Sequence, residues 1–212
     1  MNNYKDIITT KTTITPKTIL EIGSRDGDDA EKLRQLFGLS SENVWVVEPN
    51  PIQNEKIKVK YPNINLITTP IFNSETPIIF NCVNVDNQVL NGVSSLLNRV
   101  DNLYDTITTM KIELTPILGS KLIDMIGVDV DLCKIDVEGA TYEVLESFGE
   151  TLKKIKSIHI ECEHSVVWDN QKLYDEVANL LTGLGYHQVY FQHCNGETLQ
   201  SDSIWVQKEL VI

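Results

Sequence analysis

Short apolar runs alternate with segments of helical period along this chain, a pattern that predicts βαβ units and a mostly parallel sheet. Residues 18–23 read as a first strand, followed by a helix over 29–37. Residues 43–48 read as a second strand, with a helix over 53–60, and residues 64–71 as a third. Residues 76–84 add β-rich material, predicted as an antiparallel extension. A short helix over 119–126 precedes a fourth strand at 132–136. Ala140, Val144, Leu145, Phe148 and Leu152 then share one face at the helical period of about 3.6 residues. Residues 157–162 form the fifth strand, and Leu173, Val177, Leu180, Leu181 and Leu184 line one face of the following helix. Two late β-like runs, 186–192 and 203–207, flank the turn signal Cys194-Asn195-Gly196-Glu197 and predict a hairpin at a sheet edge. The fold class is therefore α/β, a doubly wound sheet. Residues 1–17 form an N-terminal extension, and 18–212 one domain. Residues 87–110 interrupt it with a polar, weakly periodic insertion of the kind that serves as a lid or binding loop.

Composition changes this picture little. A chain of 212 residues, 42 % of them hydrophobic, can build one substantial core. The net charge of −12 repels phosphate backbones and anionic membranes, which argues against nucleic-acid and membrane-surface partners. No stretch approaches the roughly 18–20 apolar residues of a spanning helix. Cys82, Cys133, Cys162 and Cys194 are widely spaced, which suits a reducing, cytoplasmic home (the host cytoplasm if the chain is viral). The composition is compatible with a homo-oligomer.

The candidate chemistry gathers where predicted strands end, because open α/β sheets bind ligands outside the carboxyl ends of their strands. Glu21-Ile22-Gly23-Ser24-Arg25-Asp26-Gly27 lies between the first strand and first helix. Its glycines allow a sharp turn and a close approach, but the spacing is not the G-x-G-x-x-G of pyrophosphate binders. Glu48 ends the second strand about twenty residues on, where a carboxylate can accept hydrogen bonds from both hydroxyls of a ribose. Pro49 stiffens the chain beside it. Glu21, Asp26 and Asp28 would oppose a pyrophosphate and tolerate an ammonium and a sulfonium, which points to S-adenosylmethionine rather than NAD.

The run Lys134-Ile135-Asp136-Val137-Glu138-Gly139-Ala140 places two carboxylates at the end of the fourth strand. Residues 157–164 add Glu161, Glu163 and His164 after the fifth. Asp136, Glu138, Glu161 and His164 would then surround one crevice, orienting an acceptor and taking its proton. His164 is the best single base, because an unperturbed imidazole titrates near neutral pH. Asp136, Glu138 and Glu161 are also candidates for a Mg or Mn site, since hard cations prefer oxygen ligands. Trp168 reads equally as core or as an aromatic face for a sugar. Ser94 and Ser95, beside Gly92, can donate to a ligand; the alternative is a cap for a helix over 96–104.

These pieces together resemble the FkbM family of S-adenosylmethionine-dependent methyltransferases. The matching residues are Leu20 to Gly27, Val47 to Pro51, Gly92 to Leu96, Leu132 to Ala140 and the strand ending at Glu161. The resemblance implies the class I methyltransferase Rossmann-like fold, with seven strands, mostly parallel, and an antiparallel C-terminal hairpin. It implies a cofactor site using Glu21, Gly23, Ser24, Arg25, Asp26, Gly27, Glu48, Pro49, Ser94, Ser95 and Asp136. It further implies O-methylation of a sugar hydroxyl in a glycan or glycoconjugate, with a deoxyhexose such as rhamnose or fucose as acceptor. Two alternatives stand beside it. One is a non-catalytic module that binds S-adenosylmethionine; the other is an NAD-dependent sugar reductase or epimerase, which the absence of a Tyr-x-x-x-Lys pair disfavours.

Overall fold

Alternation decides which residues of each strand meet which layer, and the helices cover both faces. A computed structural model of the chain describes residues 4–83, 92–101, 103–107, 109–194 and 199–212. The elements run α1 (Tyr4–Lys11), β1 (Ile19–Ile22), α2 (Asp28–Phe37), β2 (Val44–Val47), α3 (Pro51–Lys60) and β3 (Asn65–Ile67). There follow β4 (Ile78–Val83), α4 (Leu103–Thr106), β5 (Thr109–Leu114), α5 (Gly119–Ile126) and β6 (Val130–Ile135). The chain continues through α6 (Thr141–Ser147), β7 (Ile155–Glu163), α7 (Tyr174–Gly183), β8 (Tyr186–His193) and β9 (Gln200–Gln207).

Seven strands form one sheet in the order β3-β2-β1-β6-β7-β9-β8. The first five are parallel neighbours, and β9 runs antiparallel to both β7 and β8. Leu20, Ile22, Cys133, Ile135, Ile158 and Ile160 point to the face covered by α5, α6 and α7. Ile19, Val44, Val46 and Leu132 point to the other, where α1, α2 and α3 bury Tyr4, Ile8, Ala30, Leu33 and Ile57. On this second face the strands turn from apolar to ionisable toward their carboxyl ends. Ile19 gives way to Glu21, Leu132 to Lys134, and the register sets Glu21 beside Lys134 and Lys134 beside His159. The strand order reverses between β1 and β6, which opens a crevice above their carboxyl ends.

The β-rich run at 78–83 does not extend the main sheet. It pairs antiparallel with β5 in a separate two-stranded sheet. The strand β5 closes the insertion, where the polar pattern gave no strand signal. Within the insertion the one α-helix among the described residues is α4, which starts at Leu103, so Ser95 does not cap a helix over 96–104. Residues 195–198 of the hairpin's turn, residues 84–91, 102 and 108 in and before the insertion, and residues 1–3 lie outside the described residues. Among those described, no helix is long and apolar enough to cross a membrane.

Candidate active site

The crevice above β1, β2 and β6 opens into a cleft. Gly23, Arg25, Glu48, Pro49, Asp136 and Glu138 line it from the main sheet; Phe80 lines it from β4, and Gly92, Ser94, Ser95 and Leu96 from the insertion.

Gly23 makes the turn after β1 with φ at +82°, and a Cβ there would sit 1.9 Å from the carbonyl oxygen of Asp136. Only a glycine lets β1 leave the sheet so close to the end of β6. The turn ends at Gly27, also left-handed, and α2 begins with Asp28 and Asp29 in its first turn, where acids favour the positive end of the helix dipole.

Glu48 is buried at the end of β2. Its two carboxylate oxygens accept the backbone N–H groups of Arg25 and Asn50, each at 2.7 Å. Burial pushes its carboxyl up to about 7 against those two N–H donors. Each oxygen retains a lone pair for a further donor from the cleft. Asn50 caps α3 by accepting the N–H of Ile52 at 3.0 Å, and Pro51 opens the helix.

Beneath the turn lies a buried ion cluster. The Lys134 ammonium stands 2.7 Å from Asp29, 3.0 Å from Asp136 and 3.8 Å from Glu21. Burial alone would lower the Lys134 ammonium, but the carboxylates of Asp136, Glu21 and Asp29 outweigh it and hold it well above its usual range. Glu21 accepts from the Ser24 hydroxyl at 2.6 Å and from the Ala30 N–H at 3.1 Å. Burial raises its carboxyl to about 7 despite Lys134. Glu21, Ser24 and Asp26 therefore brace the turn and do not line the cleft. The run from Lys134 to Ala140 drew attention for its carboxylates and gave Lys134 no role, because a lysine inside an apolar strand has no signature apart from its distant partners.

The turn after β6 presents Asp136, Val137 and Glu138 to the cleft. Glu138 is held with φ at +42°, a left-handed conformation uncommon outside glycine. The Ser95 hydroxyl donates to the Glu138 carbonyl at 2.7 Å, which ties the insertion to this turn. A Cβ on Gly139 would fall 2.4 Å from the Trp168 ring, so the glycine makes room for the indole. Trp168 is fully buried, donates to Glu163 at 3.2 Å and carries the Arg99 guanidinium over its ring at 4.9 Å. It is a core residue and offers no free face to a sugar. Burial first, then the charges of Asp136, Glu163 and Glu161, raise the Glu138 carboxyl well above its usual range against Arg99.

Two predicted catalytic residues stand apart from the cleft lining. The His164 imidazole packs between Tyr174, Phe191 and His193 and meets the Ser201 hydroxyl at 2.8 Å. Burial and His193 lower its titration. Glu161 lies opposite Asp202 across β7 and β9, and burial with Asp136 and Asp202 lifts its carboxyl to about 8. The expected metal triad of Asp136, Glu138 and Glu161 does not converge among the described residues. The ligand atoms of Glu161 meet those of Cys194 and Asp202 within 4.8 Å instead, since β-register, not sequence proximity, decides their neighbours.

A parallel sheet of this order with one reversed strand, and a cleft at its switch point, is the class I methyltransferase fold. The chain belongs to the FkbM methyltransferase family, whose Methyltransferase FkbM domain matches residues 21–187. A methyltransferase FkbM from Methylobacillus flagellatus superposes with a TM-score of 0.54 at 16 % identity, covering 91 % of this chain and 44 % of that one. Aeropyrum pernix fibrillarin, solved with natively bound S-adenosyl-L-methionine, gives 0.53 at 11 % identity over 91 % of this chain and 68 % of its own. Magnesium protoporphyrin IX methyltransferase from Synechocystis, solved with bound SAM, gives 0.51 at 10 % identity over 91 % and 71 %. These likenesses are of fold. The chain spans less than half the length of the Methylobacillus protein, and no curated protein matches it in sequence.

Proposed function

We propose that this chain binds S-adenosylmethionine in the cleft above β1, β2 and β6 and transfers its methyl group to a hydroxyl of a sugar in a glycan or glycoconjugate. The observation that carries the reading is Glu48, a buried carboxylate oriented by two backbone N–H groups at the switch point of a methyltransferase-family domain. The donor set fits the cofactor: a carboxylate suits the paired hydroxyls of a ribose, and an acidic lining suits a cation where it would oppose a pyrophosphate. Pro49, Ile71 and Phe80 give the cleft an apolar side for a purine ring. Bound structures of similar fold, such as that of the fibrillarin with S-adenosyl-L-methionine, support the same choice.

The cofactor supplies an electrophilic methyl group on a sulfonium. Glu48 holds the ribose, Gly23 and Arg25 of the turn after β1 receive the methionine portion, and Asp136 attracts its ammonium. Glu138 faces the acceptor and takes the proton of its hydroxyl. A carboxyl of raised proton affinity is a stronger base than an ordinary one once it is ionised, and the cationic cofactor beside Glu138 favours that form. Ser94, Ser95 and Gly92 border the acceptor side. A divalent metal has no place in this reading, because the three acids expected to hold it do not converge. Incubating the full chain with S-adenosylmethionine and a panel of glycans that includes rhamnosyl and fucosyl conjugates tests it. A mass gain of one methylene unit on a sugar is the expected result; cofactor binding with no transfer to any glycan would favour a non-catalytic binding module.

A further inference from the structure

The charge lining the cleft is lopsided. Glu48 enters from β2, and Asp136 and Glu138 from the turn after β6, while Arg25 is the one cation of the lining among the described residues. Arg25 is half exposed and already paired with Asp26 at 3.1 Å. The Lys134 ammonium, beneath Asp136, is shared among three carboxylates and cannot neutralise them all. Around Glu138 the balance is similar. Asp136 approaches from its own turn, Glu161 and Glu163 from β7, and Arg99 and the Tyr104 phenol from the insertion. The Arg99 guanidinium is itself bound to Asp101 at 2.9 Å. A ligand entering this cleft meets three carboxyl groups and little cationic charge, and two of those groups, Glu48 and Glu138, hold their protons more tightly than usual until a cation beside them favours the ionised form.

S-adenosylmethionine carries a sulfonium and an ammonium against one carboxylate, a net charge of about +1 at neutral pH by ordinary amino-acid ionisation. Loss of the methyl group leaves a neutral thioether and a product of no net charge. We infer that this cleft separates cofactor from product by charge, with Asp136 and Glu138 favouring S-adenosylmethionine over S-adenosylhomocysteine and so easing product release. This rests on the proposed cofactor reading. A cation beside Glu138 favours its ionised form, so the preference grows as pH rises through the range in which the empty site still holds that proton. For one linked proton the ratio of the two affinities changes by at most about tenfold per pH unit.

Isothermal titration of the full chain at about pH 6 and about pH 8, with S-adenosylmethionine, S-adenosylhomocysteine and the cationic amine analogue sinefungin, tests the inference. The expected result is at least about a tenfold weaker Kd for S-adenosylhomocysteine at the higher pH, with a smaller ratio at the lower. Sinefungin should follow the cofactor, since it keeps the charge and lacks the sulfonium methyl. Glu138→Gln should shrink the ratio and flatten its pH dependence. Should that variant not fold, the wild-type titrations decide alone. Equal affinities for cofactor and product at both pH values would overturn the inference while leaving the cofactor reading intact. A preference that does not change with pH would remove Glu138 from it. No binding of any of the three would overturn both.

Discussion

Replacing Glu48 by glutamine keeps its size and removes the charge that its hydrogen bonds exploit. A hydrogen bond to a charged group contributes about 1.5–3 kcal/mol, so Glu48→Gln should weaken S-adenosylmethionine binding by roughly one to two orders of magnitude. Its amide would also face one of the two N–H donors, Arg25 or Asn50, at a cost of about 1 kcal/mol in a urea titration. Gly23 is a different kind of residue, needed for space and for φ. Gly23→Ala drives a methyl group into the Asp136 carbonyl at a positive φ, and backbone strain alone should destabilise the fold by about 1–3 kcal/mol. A chemical-denaturation midpoint unchanged by Gly23→Ala would contradict this packing. Both residues were legible in the sequence, because glycine in a βα turn and an acid at a strand end have local signatures. His164 was not, because its chemistry was judged from its type. The structure turns it into an aromatic cluster with Tyr174 and His193, a contact no local pattern announces.

The insertion shows why elements differ in how readily they are read. The central strands β1, β2, β6 and β7 were found because each is largely buried, and because helices of clear period separate them. The strand β5 reads Thr-Met-Lys-Ile-Glu-Leu and has no buried residue, so its pattern resembles a polar loop until β4 is found beside it. Two strands alone are marginal in water. This pair is held by contacts from the insertion to the rest of the domain: Ser95 to the Glu138 carbonyl, the Val100 N–H to the Val167 carbonyl, and the Asp169 N–H to the Asn98 carbonyl. Ser95→Ala removes the link nearest the cleft and should cost about 1 kcal/mol locally. Hydrogen exchange should quicken at residues 92–97 and not in β6. Equal protection in variant and wild type would mean that the other ties suffice. At the N-terminal end, α1 buries Tyr4, Ile7 and Ile8 against the sheet, and the Tyr4 ring lies 5.5 Å from that of His159.

At the scale of the whole molecule, the acids stored around the cleft set a pH dependence of unusual sign. Glu21 and Glu48 are raised from 4.5 to about 7 and Glu161 to about 8, so the folded chain holds protons that the unfolded chain has lost. Stability from these groups is present below pH 4.5 and falls as pH rises through the window from 4.5 to about 7–8. Burial would raise Asp29 and Asp202, but Lys134 and Lys32 at Asp29, and His159 and Lys134 at Asp202, hold both below 3.8, and their stabilisation is lost on further acidification. Urea midpoints of the ligand-free chain should therefore be higher near pH 5 than near pH 8, and a rise across that interval would contradict the burial assigned to these carboxyls. Cofactor binding should narrow the difference, since it favours their ionised forms. The most direct measurement of the central claim is calorimetric titration of S-adenosylmethionine into the wild-type chain and into Glu48→Gln. Saturable binding at one site, weakened by the substitution about tenfold or more, is the expected result. No binding to the wild type, or equal binding to both proteins, would contradict it.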